Sequence, residues 1–260
     1  MKYKDILYTK EDGIATITLN RPENRNAFTP EMTVSLRQAT DDAAKDDQVR
    51  VLILTGSGHS FCSGADVKSM ARRADGAAEK PAEDRGIGGG MLFHNFPKPV
   101  IAAVNGVAAG GGLDMALSCD IRIASDRARF AEVFIRRGLI PAMGGTYYLP
   151  RLVGVDWACL LIWTGDMLDA GQAERLGLVT MVVPHEELDG AVRELAEKIV
   201  KGPPLAIRRA KQAIYEGLHL SLEETLKLTS PMNKELIASE DHKEGARAFI
   251  EKREPVFKGK

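Results

Sequence analysis

Three consecutive glycines, Gly110-Gly111-Gly112, separate the apolar run 99–104 (PVIAAV) from the helically spaced segment 113–118. That order, strand then glycine loop then helix, is an α/β unit, and parallel strands need such crossovers between them. The same texture appears upstream. Residues 49–55 (VRVLILT) form a short continuous apolar run, as expected of a strand covered on both faces, and the loop 56–66 (GSGHSFCSGAD) follows. Downstream, residues 120–124 (DIRIA) read as a strand again. Alternating strands and helices predict α/β layers with mostly parallel pairing in this half.

The opening of the chain reads differently. Residues 3–9 and 14–19 (IATITL) alternate at the strand period around Glu11-Asp12-Gly13, which predicts a β-hairpin. Residues 20–27 (NRPENRNA) are polar and broken by a proline, hence a loop. Thr29 before Pro30 and Glu31 is a helix start, since its hydroxyl can accept from the first-turn amides and proline fits that turn. Met32, Leu36 and Ala39 then recur at helical spacing. Beyond Gly144 the texture becomes helix after helix, over 164–177, 184–201, 204–217, 221–240 and 241–253, with one strand-like interruption at 178–183. Residues 71–90 carry few large apolar side chains, a proline and a glycine cluster. Their place directly after loop 56–66 favours a lid over a surface insertion with no role.

Thirty-five basic residues against 36 acidic leave a net charge of −1, so overall charge gives no support to a nucleic-acid partner or an anionic membrane surface. The most apolar stretch, 100–117, is interrupted by Asn105, the glycine triplet and Asp114, which a transmembrane helix would tolerate poorly. The first residues, MKYKDILYTKEDG, lack the apolar region of a secretory signal. Cys62, Cys119 and Cys159 are widely spaced with no C-x-x-C pair. That spacing fits a reducing cytoplasm and opposes a disulfide framework or a cysteine-based zinc site, and no metal is expected.

The glycine loops carry the chemistry. A dinucleotide fingerprint in the first would need a small residue where Phe61 stands, a phosphate-binding loop would need Gly-Lys-Ser/Thr, and a nucleophile elbow would need G-x-S-x-G. Each rival lacks a residue that its chemistry requires. In the second loop, three glycines at a helix start let another group approach the backbone and leave N–H groups pointing outward at the positive end of the helix dipole. Such a place favours a carbonyl oxygen on which negative charge develops, although a glycine triplet alone could equally be a flexible turn.

Taken together, the two loops resemble the signature of the crotonase (enoyl-CoA hydratase/isomerase) superfamily. The first is matched by Phe61-Cys62-Ser63-Gly64-Ala65-Asp66-Val67-Lys68, and the second by 102–106 with Gly110-Gly111-Gly112 and then Cys119-Asp120-Ile121. Similarity extends from Asn20-Arg21-Pro22 through 138–141 and 144–146 to Phe249-Ile250-Glu251-Lys252-Arg253. The resemblance implies a spiral of ββα units over residues 1–200 and a C-terminal helical trimerisation region over 201–260, assembled as a homotrimer or homohexamer. It also implies an acyl-CoA thioester enzyme, with coenzyme A entering as part of the substrate and no permanently bound cofactor. By position, Ala65 and Gly111 each supply a backbone N–H to the thioester oxygen. Ala65, Asp66, Val67 and Lys68 border the adenine and pantetheine of CoA, Phe249 and Lys252 match a CoA-binding C-terminal helix, and Arg25 is a candidate for a CoA phosphate.

The family's acid–base pattern is only partly present. Hydratases of the family use two glutamates, and these positions fall at Asp114 and Phe134; an acidic position of some isomerases and dehalogenases falls at Ala142. Asp114, three residues after Gly111, stands one helical turn on and on a similar face, so it is the expected acid–base residue. Glu132 is expected on a different face from Phe134, with a structural or surface carboxylate as its ordinary reading. His59 on the first loop and His94 before Pro97 are read as structural. The reaction implied is that of an enoyl-CoA hydratase-type lyase. The alternatives are an isomerase like those of phenylacetate catabolism, suggested by the texture of 136–141 and 144–150, and an acyl-CoA-binding paralogue with impaired catalysis.

Overall fold

The computed structural model describes residues 3–66 and 90–260. The chain opens with the hairpin of β1 (Ile6–Glu11) and β2 (Ile14–Leu19), followed by α1 (Pro30–Lys45), β3 (Val51–Gly56) and β4 (Ser60–Cys62). After the undescribed residues come β5 (Val100–Val104), β6 (Val107–Ala109), α2 (Gly111–Leu117), β7 (Ile121–Ser125) and β8 (Arg129–Ala131). Then follow α3 (Gly145–Thr164), β9 (Met167–Asp169), α4 (Ala170–Arg175), β10 (Met181–Val183) and α5 (Leu188–Val200). The last three helices are α6 (Pro204–Gly217), α7 (Leu222–Ile237) and α8 (Glu240–Glu251).

Local chemistry accounts for several of these boundaries. Asp12 (φ 51°) and Gly13 (φ 80°) both take left-handed conformations, so the hairpin closes on a two-residue Asp-Gly turn whose twist suits the flanking strands. Thr29 Oγ1 accepts from Met32 N at 2.9 Å and begins α1 as expected. Gly165, left-handed at φ 66°, ends α3.

Among the described residues the strands form two sheets, of order β1-β2-β3-β5-β7-β10 and β4-β6-β8-β9. From β2 across to β10 the larger sheet is parallel. Side chains alternate between its faces. Val51, Ile53, Ile101, Ala103 and Ile123 meet Leu188, Val192 and Ala196 of α5 in one apolar cluster. Leu52, Leu54, Val100, Ala102 and Val104 turn the other way, into the main core with Met32 and Leu36 of α1 and Phe61, Ala108 and Phe130 of the smaller sheet. The smaller sheet is thus held against the larger one by a continuous buried core.

Two expectations need correction. The stretch 105–112 is not all loop: it contains β6, and the helix begins at Gly111 rather than at Leu113. Residues 164–177 are not one helix, because β9 intervenes and Asp169 starts α4 through a capping box with Gln172. All four strands of the smaller sheet have three residues, too few for a period-two pattern to register.

The C-terminal helices are tied to the core through Asp120. Its Oδ2 accepts from Val100 N (2.7 Å) and Lys211 Nζ (2.8 Å), and its Oδ1 from Tyr215 Oη (2.6 Å). No helix among the described residues is long and apolar enough to cross a membrane.

Candidate active site

β4, β6 and β8 run parallel, so their carboxyl ends lie side by side at one edge of the smaller sheet. Loops at that end of parallel strands are where α/β folds gather functional groups. Ala65 comes three residues after β4, Gly111 two after β6, and Glu132 directly after β8. The loops touch backbone to backbone. A Cβ added at Gly64 (φ 88°) would stand 2.8 Å from Ala109 O and 3.2 Å from Gly111 N, and one added at Gly112 would collide with Cys62 O. Glycine is what this approach requires.

The geometry also orients the two N–H groups. Ala65 forms a parallel bridge with Phe28, in which Phe28 N donates to Gly64 O (2.8 Å) and Asp66 N donates to Phe28 O (3.4 Å). Phe28 therefore bonds the residues on either side of Ala65, and the Ala65 N–H points away from it. Gly111 opens α2, so its N–H has no acceptor within the helix. Met143 Sδ and the Phe28 ring wall this place: an added Cβ at Gly111 would meet them at 2.9 and 3.0 Å. Two backbone donors beside apolar walls can polarise a carbonyl oxygen.

Asp114 lies one turn into α2, fully buried, with Oδ2 accepting from Met143 N at 3.1 Å. Glu132, 1 % exposed, faces it. A Cβ at Gly145 would collide with Asp114 Oδ1 and stand 2.8 Å from Glu132 Oε1, so the two carboxyl groups converge on the start of α3. Two unit charges about 4 Å apart in such surroundings repel by roughly 4 kcal/mol, so the pair does not ionise twice near neutral pH. Burial raises both groups above the usual carboxylate range. The Asp114 charge raises Glu132 further, while the amides of Met143 and Gly145 favour the ionised form of Asp114. The negative charge belongs on Asp114 and the proton on Glu132.

Glu132 is thus a buried partner of Asp114, and the surface-carboxylate reading is wrong. No sequence pattern marks it, because its burial follows from the short strand β8: Gly110 N donates to Ala131 O at 2.8 Å, which pins this strand end to the second loop. Phe134 is half-buried, with its ring edge 3.6 Å from where a Gly110 Cβ would lie, and supplies apolar surface at that wall. Ala142 is exposed.

The structure places the other expected residues as follows. Arg25 is exposed and left-handed (φ 51°), and its carbonyl accepts from Ser63 N (3.0 Å), so it borders the first loop. Asp66 pairs with Arg21 at 3.4 Å. Val67, Lys68 and residues 71–89 of the lid expected at 71–90 lie outside the described residues. Phe249 (87 % exposed) and Lys252 project from the last turn and cap of α8, a helix that packs on α7. His59 is exposed just before β4, at the opposite end of that strand from Ala65. His94 packs against Tyr215 with ring centroids 4.4 Å apart, and lines a cavity of about 660 Å³ with Lys211 and Tyr215 rather than joining Asp114. Burial and then the Lys211 charge keep His94 below its ordinary value. Among the described residues no group of three or more His, Cys, Asp or Glu could hold a metal ion.

Residues 9–260 match the sequence model of the family described as enoyl-CoA hydratase/isomerase. The chain belongs to this family. The short-chain-enoyl-CoA hydratase of Clostridium acetobutylicum is 39% identical over 257 residues, 97% of each chain. The 1,2-epoxyphenylacetyl-CoA isomerase of Escherichia coli is 39% identical over 262 residues, 98% of each. A crystal structure of enoyl-CoA hydratase from Bacillus anthracis superposes with a TM-score of 0.93 at 36% identity, over 99% of this chain and 100% of that one. The crotonase fold expected from the loops is the one observed. In this member of the enoyl-CoA hydratase/isomerase family the buried carboxyl beside Asp114 comes from Glu132, while Phe134 fills the place where the family pattern led us to expect an acid.

Proposed function

We propose that the protein is an acyl-CoA thioester enzyme of the enoyl-CoA hydratase type. The observation that carries this reading is the adjacency of the β4 and β6 ends, which brings Gly64, just before Ala65, against Gly111 N, with Asp114 one turn further on. In the reaction, the thioester oxygen accepts from both N–H groups. Asp114 takes a proton from water as the water oxygen bonds to the β-carbon, and the electrons of the Cα=Cβ bond move onto the thioester as an enolate. The α-carbon then takes a proton from the same carboxyl, and the enolate collapses to the 3-hydroxyacyl-CoA. Arg25, Asp66, Val67 and Lys68 would border the CoA, and Phe249 and Lys252 would reach it from the C-terminal helices. We also propose a homotrimer or homohexamer working in the cytoplasm, with residues 201–260 as the helical assembly region.

A second reading, double-bond isomerisation, is favoured by one observation. Phe134 leaves the site with a single buried carboxyl pair and an apolar wall, and moving one proton within a bound acyl-CoA needs no water. The readings separate in a panel of crotonyl-CoA, longer 2-enoyl-CoAs and cyclic enoyl-CoAs run beside a CoA-binding titration. Asp114→Ala is expected to lower turnover of the preferred substrate by about 10²–10⁴-fold, as for loss of a general acid–base group, with CoA affinity unchanged. Hydrated product identifies the lyase, and a shifted double bond without added water the isomerase. Wild-type turnover that survives Asp114→Ala would remove Asp114 from the reaction.

A further inference from the structure

We infer that Glu132 is the proton partner of Asp114: the two carboxyl groups hold one proton between them, Asp114 meets the substrate as the carboxylate, and Glu132 sets the readiness of Asp114 to exchange. This rests on the proposed role of Asp114 and extends it to a side chain that the mechanism above leaves unused.

Three observations carry the inference. Both Glu132 oxygens and Asp114 Oδ1 are buried with no hydrogen-bond donor among the described residues beyond what the two carboxyl groups can offer each other, while Asp114 Oδ2 accepts from Met143 N. A fully ionised pair would leave those three acceptors bare, whereas one protonated carboxyl can donate to the other. The groups also converge, since Asp114 Oδ1 and Glu132 Oε1 both crowd the point where a Gly145 Cβ would lie. Lastly, among the described residues no cation stands out as a partner that shifts either carboxyl. Tyr148 on α3, Cys62 on β4 and Cys119 after α2 are all raised by burial and neutral at physiological pH. Arg136 and Arg137, beyond Phe134, are exposed.

The proton count closes over a turnover. The pair starts with one proton, on Glu132. Asp114 gains a second from the attacking water, and one returns to the α-carbon, so the pair again holds one. Glu132 is a positioning residue in this scheme, acting on the substrate through Asp114.

Infrared difference spectroscopy of the whole protein at neutral pH tests this without reference to turnover. The expected result is a protonated-carboxyl stretch, sensitive to D2O, that is present in the wild type and lost in Glu132→Gln. Absence of the band, or a band unchanged by E132Q, would overturn the inference. With crotonyl-CoA as probe, E132Q should lower kcat by about 10²-fold, at the low end for acid–base groups, with KM within about threefold. It should also abolish the alkaline limb of the wild-type kcat/KM profile, which on this account is the loss of the shared proton. A merely structural Glu132 would lower activity and leave both limbs in place. If E132Q does not fold, the wild type decides alone: a second buried-carboxyl band must appear over the same acidic range in which turnover falls, and failure to coincide would overturn the inference. A shared-proton band in an enzyme whose turnover survives Asp114→Ala would refute the role of Asp114 and leave the pair standing.

Discussion

Glu132 pits burial against charge, and the outcome has a thermodynamic sign. Its folded-state value is raised, first by burial and then by Asp114. Below the ordinary carboxyl range the folded and unfolded chains both hold the proton. As pH rises past that range the unfolded chain releases it while the native protein keeps it, so stability falls until the raised folded value is passed. One retained proton corresponds to a slope of about 1.4 kcal/mol per pH unit. Denaturant unfolding at pH 6 and pH 8 should show the wild type less stable at pH 8, with Glu132→Gln flattening the difference. Equal slopes in the two proteins would place the proton elsewhere. Residue-level legibility in the sequence was uneven for a related reason. Ala65, Gly111 and Asp114 belong to two recognisable glycine motifs, whereas the burial of Glu132 depends on the pairing of β6 with β8, a contact between segments some twenty residues apart.

Longer elements were legible because their patterns are long or sharply capped. The predicted helix 204–217 is α6 itself and Thr29 caps α1 as read, while Ser221 caps α7 and Ser239, inside the helix predicted over 221–240, caps α8. The short strands of the smaller sheet were not legible as a set, although they align the two loops. A second element-scale feature, Asp120, appeared in the sequence only as the start of the strand-like run 120–124 and as part of the second loop's motif. In the structure it joins β5 to α6 through Val100 N, Lys211 and Tyr215. The Lys211 side chain is only 9 % exposed, and desolvation pulls it below its ordinary value despite this partner. Among the described residues, removing the carboxylate leaves the ammonium with only the Lys98 and Phe93 carbonyls and no counter-charge. Asp120→Ala is therefore expected to cost about 3–5 kcal/mol, read from the shift of the denaturation midpoint. A loss under 1 kcal/mol would show that α6 is held by its apolar face alone.

At the scale of the whole molecule, the chain leaves large apolar side chains uncovered: Trp163 is 70 % exposed and Ile250 80 %, beside Phe249 at the CoA-contacting end proposed for α8. Isolated apolar side chains are ordinary on a surface, but Phe249 and Ile250 lie on α8, within the region 201–260 that the family resemblance assigns to assembly, while Trp163 lies on α3 outside it. Light scattering should give three or six times the 28.3 kDa chain mass, and a monomer at micromolar concentration would contradict the proposed assembly. The central claim is that two backbone N–H groups activate the thioester, and Gly111 tests it most directly. Proline is tolerated at the first residue of a helix, so Gly111→Pro deletes the donor at a position where α2 can still form. Gly111→Ala adds a similar Cβ against Met143 and Phe28 while keeping the N–H, and so controls for crowding. The measurement is turnover of the preferred enoyl-CoA by both folded variants. We expect Gly111→Pro to fall about 10²–10³-fold below Gly111→Ala, the usual cost of one oxyanion donor, and equal rates in the two variants would contradict the account.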